Sequence, residues 1–212
     1  KKSSLETHNL ALVSLSKLLN TNKEIKRIEA YDNSHTSGKN SVGVMVVADK
    51  EGLSPKNYRK FNIRYDLKNK NISKVDDYYM MEEVLNRRLG KIDKKEESLI
   101  PDVIIIDGGR GQFNSVLKIL KTYQLENINL LSVSKGPERN AGREIIHLEN
   151  QNLNLKPNDS LLNFIQRLRD EAHRFAITAH RSRRSKSSIK SIFDDVKGIG
   201  PKRKKELLLH FG

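Results

Sequence analysis

The strongest hydrophobic run in the chain predicts a short central strand at 102–107. Segment 101–109 reads PDVIIIDGG, so that consecutive β-branched residues stand between a proline and two glycines. A continuous apolar run of this length is typical of a strand that is buried on both faces of a partly parallel sheet. We therefore expect an α/β protein with this strand near the middle of its sheet.

Four further strands are predicted around this central one. Apolar residues dominate segments 25–31 and 41–48, and they alternate with polar residues over 61–65. The short, turn-rich connections between these three strands indicate an antiparallel meander. A strand at 128–133 follows the central one, and a short hairpin arm is expected at 143–148.

Helical spacing of apolar residues predicts the remaining elements. A leading helix is expected at 5–20, and a second helix begins with a capping-box-like pair, Ser73 and Asp76, and ends at Gly90. Residues 113–120 form a third helix, and a long helix covers 160–184 behind an Asp159 cap. The order of elements matches, by analogy, the ribonuclease H-like fold, an α/β mixed sheet flanked by helices.

Two acids follow strands that this fold places side by side. Asp32 follows segment 25–31, and Asp107 ends the central strand. Adjacent carboxylates repel each other without a cation between them, so we expect a divalent Mg²⁺ or Mn²⁺ held by Asp32 and Asp107. The alternative for Asp107 alone is a cap on the turn into the next helix.

A third candidate lies on the long helix, where His173 borders the apolar stripe in line with Arg169. His173 is either a metal ligand or a general base, and the alternative is a histidine satisfied at the core boundary. The neighbouring acids Asp170 and Glu171 are more typical of surface ion pairs with nearby arginines.

Composition narrows the class of protein. The 212 residues carry 40 Lys and Arg against 26 Asp and Glu, for a net charge of +14, which suits nucleic acid first and an anionic membrane surface second. The chain contains no cysteine, which excludes disulfides, thiolate zinc sites and a cysteine nucleophile. It also lacks a long apolar run, so a soluble, cytoplasmic protein is expected.

The basic residues are concentrated towards the C-terminal end. Segment 181–188, RSRRSKSS, is interpreted as a flexible basic linker that contacts phosphates or is simply solvated. Segment 193–208 contains a Gly-Ile-Gly turn followed by Pro201, which is typical of a helix-hairpin-helix unit that binds DNA phosphates through backbone N–H groups. The glycine loop 108–111 either binds phosphate or makes a tight turn, and it fits neither nucleotide-binding motif. Three units are expected: a leading helix or linker at 1–23, a ribonuclease H-like domain at 24–187 and the partial helix-hairpin-helix segment at 188–212.

Taken together, these motifs resemble the UvrC family. The resemblance is carried by RIEAYDNSH (27–35), DDY (76–78), PDVIIIDGGRGQ (101–112), RDEAHRFA (169–176) and GIG (198–200), in the family's order. It covers the family's C-terminal half, which has an RNase H-like endonuclease domain followed by tandem helix-hairpin-helix units.

The resemblance implies a metal-dependent endonuclease of bacterial nucleotide excision repair that cuts 5′ to a lesion. It places the catalytic set on Asp32, Asp107 and His173, with a further acid at Asp76 or Asp77, of which Asp76 is favoured. The implied partners are damaged double-stranded DNA and UvrB, with UvrA acting earlier. The expected DNA contacts are Arg110, Lys135, Arg174, Arg181, Arg183, Arg184, Lys197, Gly198, Gly200, Lys202 and Arg203.

Two rival functions remain open from the sequence. One is a DNA-binding module without catalysis that positions a partner nuclease, which would need no acids at the strand ends. The other is an RNase H-type enzyme that cuts RNA–DNA hybrids.

Overall fold

The structure, a computed structural model, describes residues 2–36, 39–63, 77–92, 100–134, 136, 144–157, 159–193, 200, 203, 206–207 and 210. Within these residues the chain forms four α-helices and eight strands. The helices are α1 (Lys2–Leu18), α2 (Asp77–Leu89), α3 (Arg110–Thr122) and α4 (Ser160–Phe193). The strands are β1 (Ile28–Thr36), β2 (Lys39–Asp49), β3 (Gly52–Leu53), β4 (Arg59–Asn62), β5 (Val103–Asp107), β6 (Asn129–Ser134), β7 (Ile145–His147) and β8 (Asn152–Asn154).

All the described strands belong to one mixed sheet. Its order is β3-β2-β1-β5-β6-β7-β8, and β4 also pairs with β2. The central strands β1, β5 and β6 are parallel, whereas the flanking pairs are antiparallel. The predicted α/β fold with a central strand at 102–107 is therefore confirmed, and so is the antiparallel meander of the first strands.

The sheet separates two hydrophobic cores. Helices α2 and α3 pack on one face, and α1 and α4 pack on the other. Strand β5 contributes to both, because Ile104 and Ile106 face α2 and α3 while Val103 and Ile105 face α1 and α4. This double burial explains why the strand carries apolar residues at consecutive positions.

The start of β1 is fixed against β5 by one carboxylate. The Asp102 Oδ2 atom accepts the backbone N–H groups of Lys26 and Arg27, each at 2.8 Å. The Asp102 N–H in turn donates to the Arg27 carbonyl at 2.9 Å. These bonds hold the two strands in the register that pairs Tyr31 with Ile106.

A buried ion pair joins α2 to the face of β1 on which α2 and α3 pack. The Glu29 carboxylate is completely buried and bonds Arg27 at 2.8 Å and Arg88 of α2 at 2.7 Å. It also accepts the Tyr31 hydroxyl at 2.6 Å. Burial, followed by the neighbouring Glu29 charge, raises the pKa of Tyr31 well above its usual value.

Three element boundaries differ from the predictions. Strand β1 continues past Asp32 to Thr36, because residues beyond Asp32 still pair with β2. The strand predicted at 61–65 begins earlier, as β4 at Arg59–Asn62, and residues 64 and 65 lie outside the described residues. The short strand β3, which precedes it, was not predicted. The predicted linker at 181–188 is wrong, since α4 remains helical to Phe193.

The other predicted elements are present. Helix α2 ends at Leu89, directly before Gly90. The short hairpin arm expected at 143–148 is present but extends further, because β7 pairs with β8 at Asn152–Asn154. The Asp159 carboxylate caps α4 by accepting the Leu161 N–H at 2.8 Å. The Ser73–Asp76 start and most of the helix-hairpin-helix segment lie outside the described residues. Of the helices that the structure describes, none combines the length and apolar character needed to cross a membrane.

Candidate active site

The two acids predicted from sequence meet at one edge of the sheet. The parallel register pairs Tyr31 of β1 with Ile106 of β5, so Asp32 and Asp107 are the next residues on adjacent strands. Both follow Ala30 and Ile105 by two positions, and those residues belong to the core on the α4 face. Since side chains two residues apart in a strand share a face, both carboxylates point towards α4.

The charge of one acid changes the protonation of the other. Asp32 is 8% exposed. Burial raises the pKa of Asp32 above its ordinary value, and the nearby Asp107 charge raises it further. The hydrogen bonds from His173 and from the Asn33 backbone oppose this rise. The two carboxylates are therefore close enough for the charge of one to disfavour the ionised form of the other.

Helix α4 places His173 over this pair of acids. The Nδ1 atom of His173 lies 3.1 Å from the Asp32 Oδ2 atom. The imidazole side chain is 64% exposed, whereas that of Asp32 is 11% exposed. The histidine is therefore not a core-boundary residue, and its ring reaches from solvent to the buried acid.

Arginine 169, one turn earlier on α4, contacts the second acid. Its Nε donates to the Asp107 Oδ1 atom at 3.0 Å. The Nη1 atom of Arg169 lies 3.6 Å from the Oε1 atom of Glu144, a residue that is 6% exposed. Gln166, also on α4, donates to the other Glu144 oxygen at 2.9 Å.

Arg169 and Glu144 were not assigned a role from sequence. The sequence places Arg169 one helical turn before His173 on the same edge of the long helix, and this spacing could have indicated that Arg169 also faces the site. Glu144 directly precedes the apolar strand β7, where a buried acid requires a partner. Two of its partners, Arg169 and Gln166, lie on α4, far from Glu144 in sequence, so no local pattern connects them to it.

The donor set at this edge suits a hard divalent cation. Among the residues that the structure describes, no group of three or more Asp, Glu or His side chains is arranged to hold a metal ion. Asp32 and Asp107 are two carboxylates that the structure brings together at this edge. Mg²⁺ accepts such a site, because it commonly keeps several waters and binds one or two carboxylates together with substrate phosphates.

The beginning of α2 contacts β1 next to Asp32, on the face of the sheet opposite to α4. Asn33, next to Asp32, donates from Nδ2 to the Asp77 carbonyl at 3.4 Å. The side chain of Asn33 thus points away from the carboxylate pair, as the strand alternation predicts. Asp76, the favoured additional acid, precedes this contact but lies outside the described residues.

Among the described residues, the two acids of α4 that precede His173, Asp170 and Glu171, make no bond to Asp32 or Asp107. Glu171 accepts two bonds from Arg174, at 2.8 and 2.7 Å. These bonds lower the pKa of Glu171 below its usual value despite partial burial. The prediction of a surface ion pair is confirmed for Glu171, while Asp170 is exposed.

The predicted DNA-binding residues are described to different extents. Arg174 and Arg181 are exposed on α4, and Gly200 and Arg203 are also exposed. The Arg110 guanidinium is directed inwards, where it donates to the carbonyls of Leu148 and Glu149 and lies 5.0 Å from the Phe113 ring centroid. The side chains of Arg183 and Arg184, and all of Lys135, Lys197, Gly198 and Lys202, lie outside the described residues. The roles of all these residues in DNA binding stay predictions.

A mixed sheet with a parallel centre, flanked by helices on both faces, with two acids on adjacent strands and a histidine from the last long helix, is the arrangement of an RNase H-like domain. Residues 16–177 match the model of the UvrC RNase H endonuclease domain. Because this match covers most of the sequence, the chain belongs to that family.

Curated relatives support the same assignment. The chain is 47% identical over 211 residues to UvrABC system protein C of Zymomonas mobilis, covering 97% of this chain and 31% of the relative. It is 48% identical over 192 residues to the protein of the same name from Paramagnetospirillum magneticum, covering 88% and 30%. The chain thus spans about a third of the length of these relatives.

Among solved structures, the chain is similar to human ENDOV. The superposition has a TM-score of 0.47 at 14% identity and covers 87% of this chain and 99% of that chain.

Proposed function

We propose that this chain is the part of a nucleotide excision repair endonuclease that hydrolyses a phosphodiester bond 5′ to a lesion. The observation that carries the proposal is the convergence of Asp32, Asp107 and His173 at one sheet edge. A DNA-binding module without catalysis would have no need to place two repelling acids beside each other. Membership of the UvrC endonuclease family supports the same activity.

The cofactor that best suits the site is Mg²⁺ or Mn²⁺, held by Asp32 and Asp107. When bound, the cation would activate the attacking water and stabilise the charge that develops on the phosphate and the leaving oxygen. The two carboxylates supply the negative charge that attracts it, and the burial of Asp32 excludes competing solvent from one side.

His173 is proposed to accept the proton of the attacking water. Its Nδ1 faces the Asp32 carboxylate, which fixes the orientation of the ring. Its other nitrogen, Nε2, has no hydrogen-bond partner among the described residues, and the ring is largely exposed. This leaves Nε2 accessible to a water or a phosphate that enters from solvent.

The proposed substrate is damaged double-stranded DNA, and the proposed partner is UvrB. The net charge of +14 supports an extended contact with phosphates. Arg181 on the exposed part of α4 and Arg203 further along the chain are candidates for this contact, which would be independent of base sequence.

Incision of a pre-nicked damaged duplex in the presence of UvrB tests the proposal. We expect Asp32→Ala and Asp107→Ala each to reduce Mg²⁺-dependent incision by about 10³-fold or more, because each removes half of the cation site. DNA binding, measured by fluorescence anisotropy, should remain close to that of the unchanged chain.

The matched control is Asp170→Ala, which removes an exposed acid from α4 without touching the site. It should cut at the normal rate. Normal incision by either site variant would contradict the proposal, and cutting of an RNA–DNA hybrid in preference to the damaged duplex would contradict the assigned substrate.

A further inference from the structure

We propose that Arg169 is a positioning residue for Asp107, and that buried Glu144 is the counter-charge that makes a guanidinium compatible with a cation site. The inference rests on the proposed function, because it concerns the cation expected at Asp32 and Asp107. It adds two residues, neither of which is a proposed ligand of that cation.

The first step is the contact between Arg169 and Asp107. The Arg169 Nε donates to one carboxylate oxygen at 3.0 Å, and its side chain is 11% exposed. A directional N–H bond from a planar guanidinium fixes the rotation of a carboxylate more strictly than a lysine does. Asp107 therefore keeps one oxygen engaged and the other, Oδ2, available to a cation.

The second step concerns the cost of this arrangement. The guanidinium of Arg169 is charged at every relevant pH, and it lies beside the place proposed for a divalent cation. Like charges at short range repel strongly where water is largely excluded. Without compensation, Arg169 would orient Asp107 but weaken the binding of the cation.

The third step is the position of Glu144. Its Oε1 atom lies 3.6 Å from Nη1 of Arg169, whereas Asp107 is bonded to Nε, so the two acids contact different nitrogens of the guanidinium. Gln166 holds the other oxygen at 2.9 Å, so Glu144 is fixed to the same helix that carries Arg169 and His173. Glu144 is 6% exposed, and this buried negative charge offsets the guanidinium next to it.

The two acids of the site are consequently held by different means. Asp32 receives a backbone N–H from Asn33 and the His173 ring. Asp107 receives an N–H bond from the permanently charged Arg169, and Glu144 balances the charge of that arginine. Outer-shell partners of this kind are commonly worth about 10- to 100-fold in metal affinity or activity.

The test is a double-substitution cycle read as Mn²⁺ affinity without turnover, from the rise in melting temperature during a Mn²⁺ titration. We expect Glu144→Gln to weaken Mn²⁺ binding about 10-fold, because Arg169 is then uncompensated. The double variant Glu144→Gln with Arg169→Gln should regain most of that affinity. Damage to packing alone would make the double variant weaker than either single one.

Incision at saturating Mn²⁺ separates orientation from affinity. Arg169→Gln should bind Mn²⁺ at least as tightly as the unchanged chain but cut about 100-fold more slowly, since Asp107 is no longer oriented. Arg169→Lys should recover part of the rate. The control Arg87→Gln, which breaks an Arg–Glu pair within α2, should change neither quantity.

The outcomes distinguish this inference from the proposed function. If Asp32→Ala and Asp107→Ala bind Mn²⁺ as tightly as the unchanged chain, the cation site itself is wrong. If those variants lose Mn²⁺ but Glu144→Gln binds it normally, or the double variant is the weakest, the roles of Arg169 and Glu144 are wrong while the site stands.

Discussion

Asp32 links the stability of the domain to its chemistry at the scale of a single residue. Its pKa is raised in the folded chain, so the folded state keeps a proton over a range of pH where the unfolded state has lost it. Stability contributed by this group is therefore lost as the pH rises from about 3.9, the ordinary aspartate value, through the folded pKa. At a pH above the folded pKa and without a cation, the ionised Asp32 destabilises the fold.

Asp32→Asn should therefore raise the melting temperature at pH 7 in the presence of a chelator. The amide is neutral, so it removes both the cost of burying a charge and the repulsion from Asp107. Each kcal/mol gained corresponds to roughly 2–4 °C for a chain of this size. Thermal unfolding at several pH values checks this, and the difference should shrink as the pH falls towards 4.

Mn²⁺ provides the converse measurement for the same residue. Adding the ion should raise the melting temperature of the unchanged chain, because a ligand that binds the folded state stabilises it, and it should have little effect on Asp32→Asn. A lower melting temperature for Asp32→Asn at pH 7 would show that the hydrogen bond to His173 outweighs the buried charge.

At the scale of the elements, the register of β1 against β5 decides whether the site exists. A slip of one residue would turn Asp32 to the opposite face, away from Asp107 and α4. Asp102 contributes to this register by accepting two backbone N–H groups from the residues before β1.

Asp102→Ala should lower the unfolding free energy by about 1.5–3 kcal/mol, since a charged acceptor is removed and two N–H groups are left without their partner. Urea unfolding measures this. The control Asp49→Ala removes an acceptor of one exposed backbone N–H and should cost clearly less. Equal losses of stability for the two variants would contradict a special role of Asp102 in strand registration.

The elements also show which features a local pattern can predict. Strand β5 and the apolar stripe of α4 have periods that follow directly from burial, so Asp107 and His173 could be placed from sequence. Glu144 could not be assigned a role, because its contacts with Gln166 and Arg169 join residues that are distant in sequence. The helix beyond residue 184 was also missed, since an Arg- and Ser-rich stretch lacks the apolar periodicity that marks a packed helix.

At the scale of the whole molecule, the question is whether the net charge of +14 acts diffusely or through particular residues. A diffuse field predicts that any loss of positive charge weakens DNA binding equally. A helix-hairpin-helix contact, as predicted for Lys202 and Arg203, requires that the position of the charge matters.

Two double variants with the same change in net charge separate these cases. Lys202→Glu with Arg203→Glu should weaken binding to duplex DNA by more than about 10-fold. The double variant should also reduce the slope of the logarithm of the binding constant against the logarithm of the salt concentration, by about one for each phosphate that is no longer bound. Lys118→Glu with Lys121→Glu alters exposed residues of α3 and should weaken binding only a few-fold. Fluorescence anisotropy over a salt series checks both, and equal weakening by the two variants would mean that the C-terminal basic residues act through net charge rather than through a defined contact.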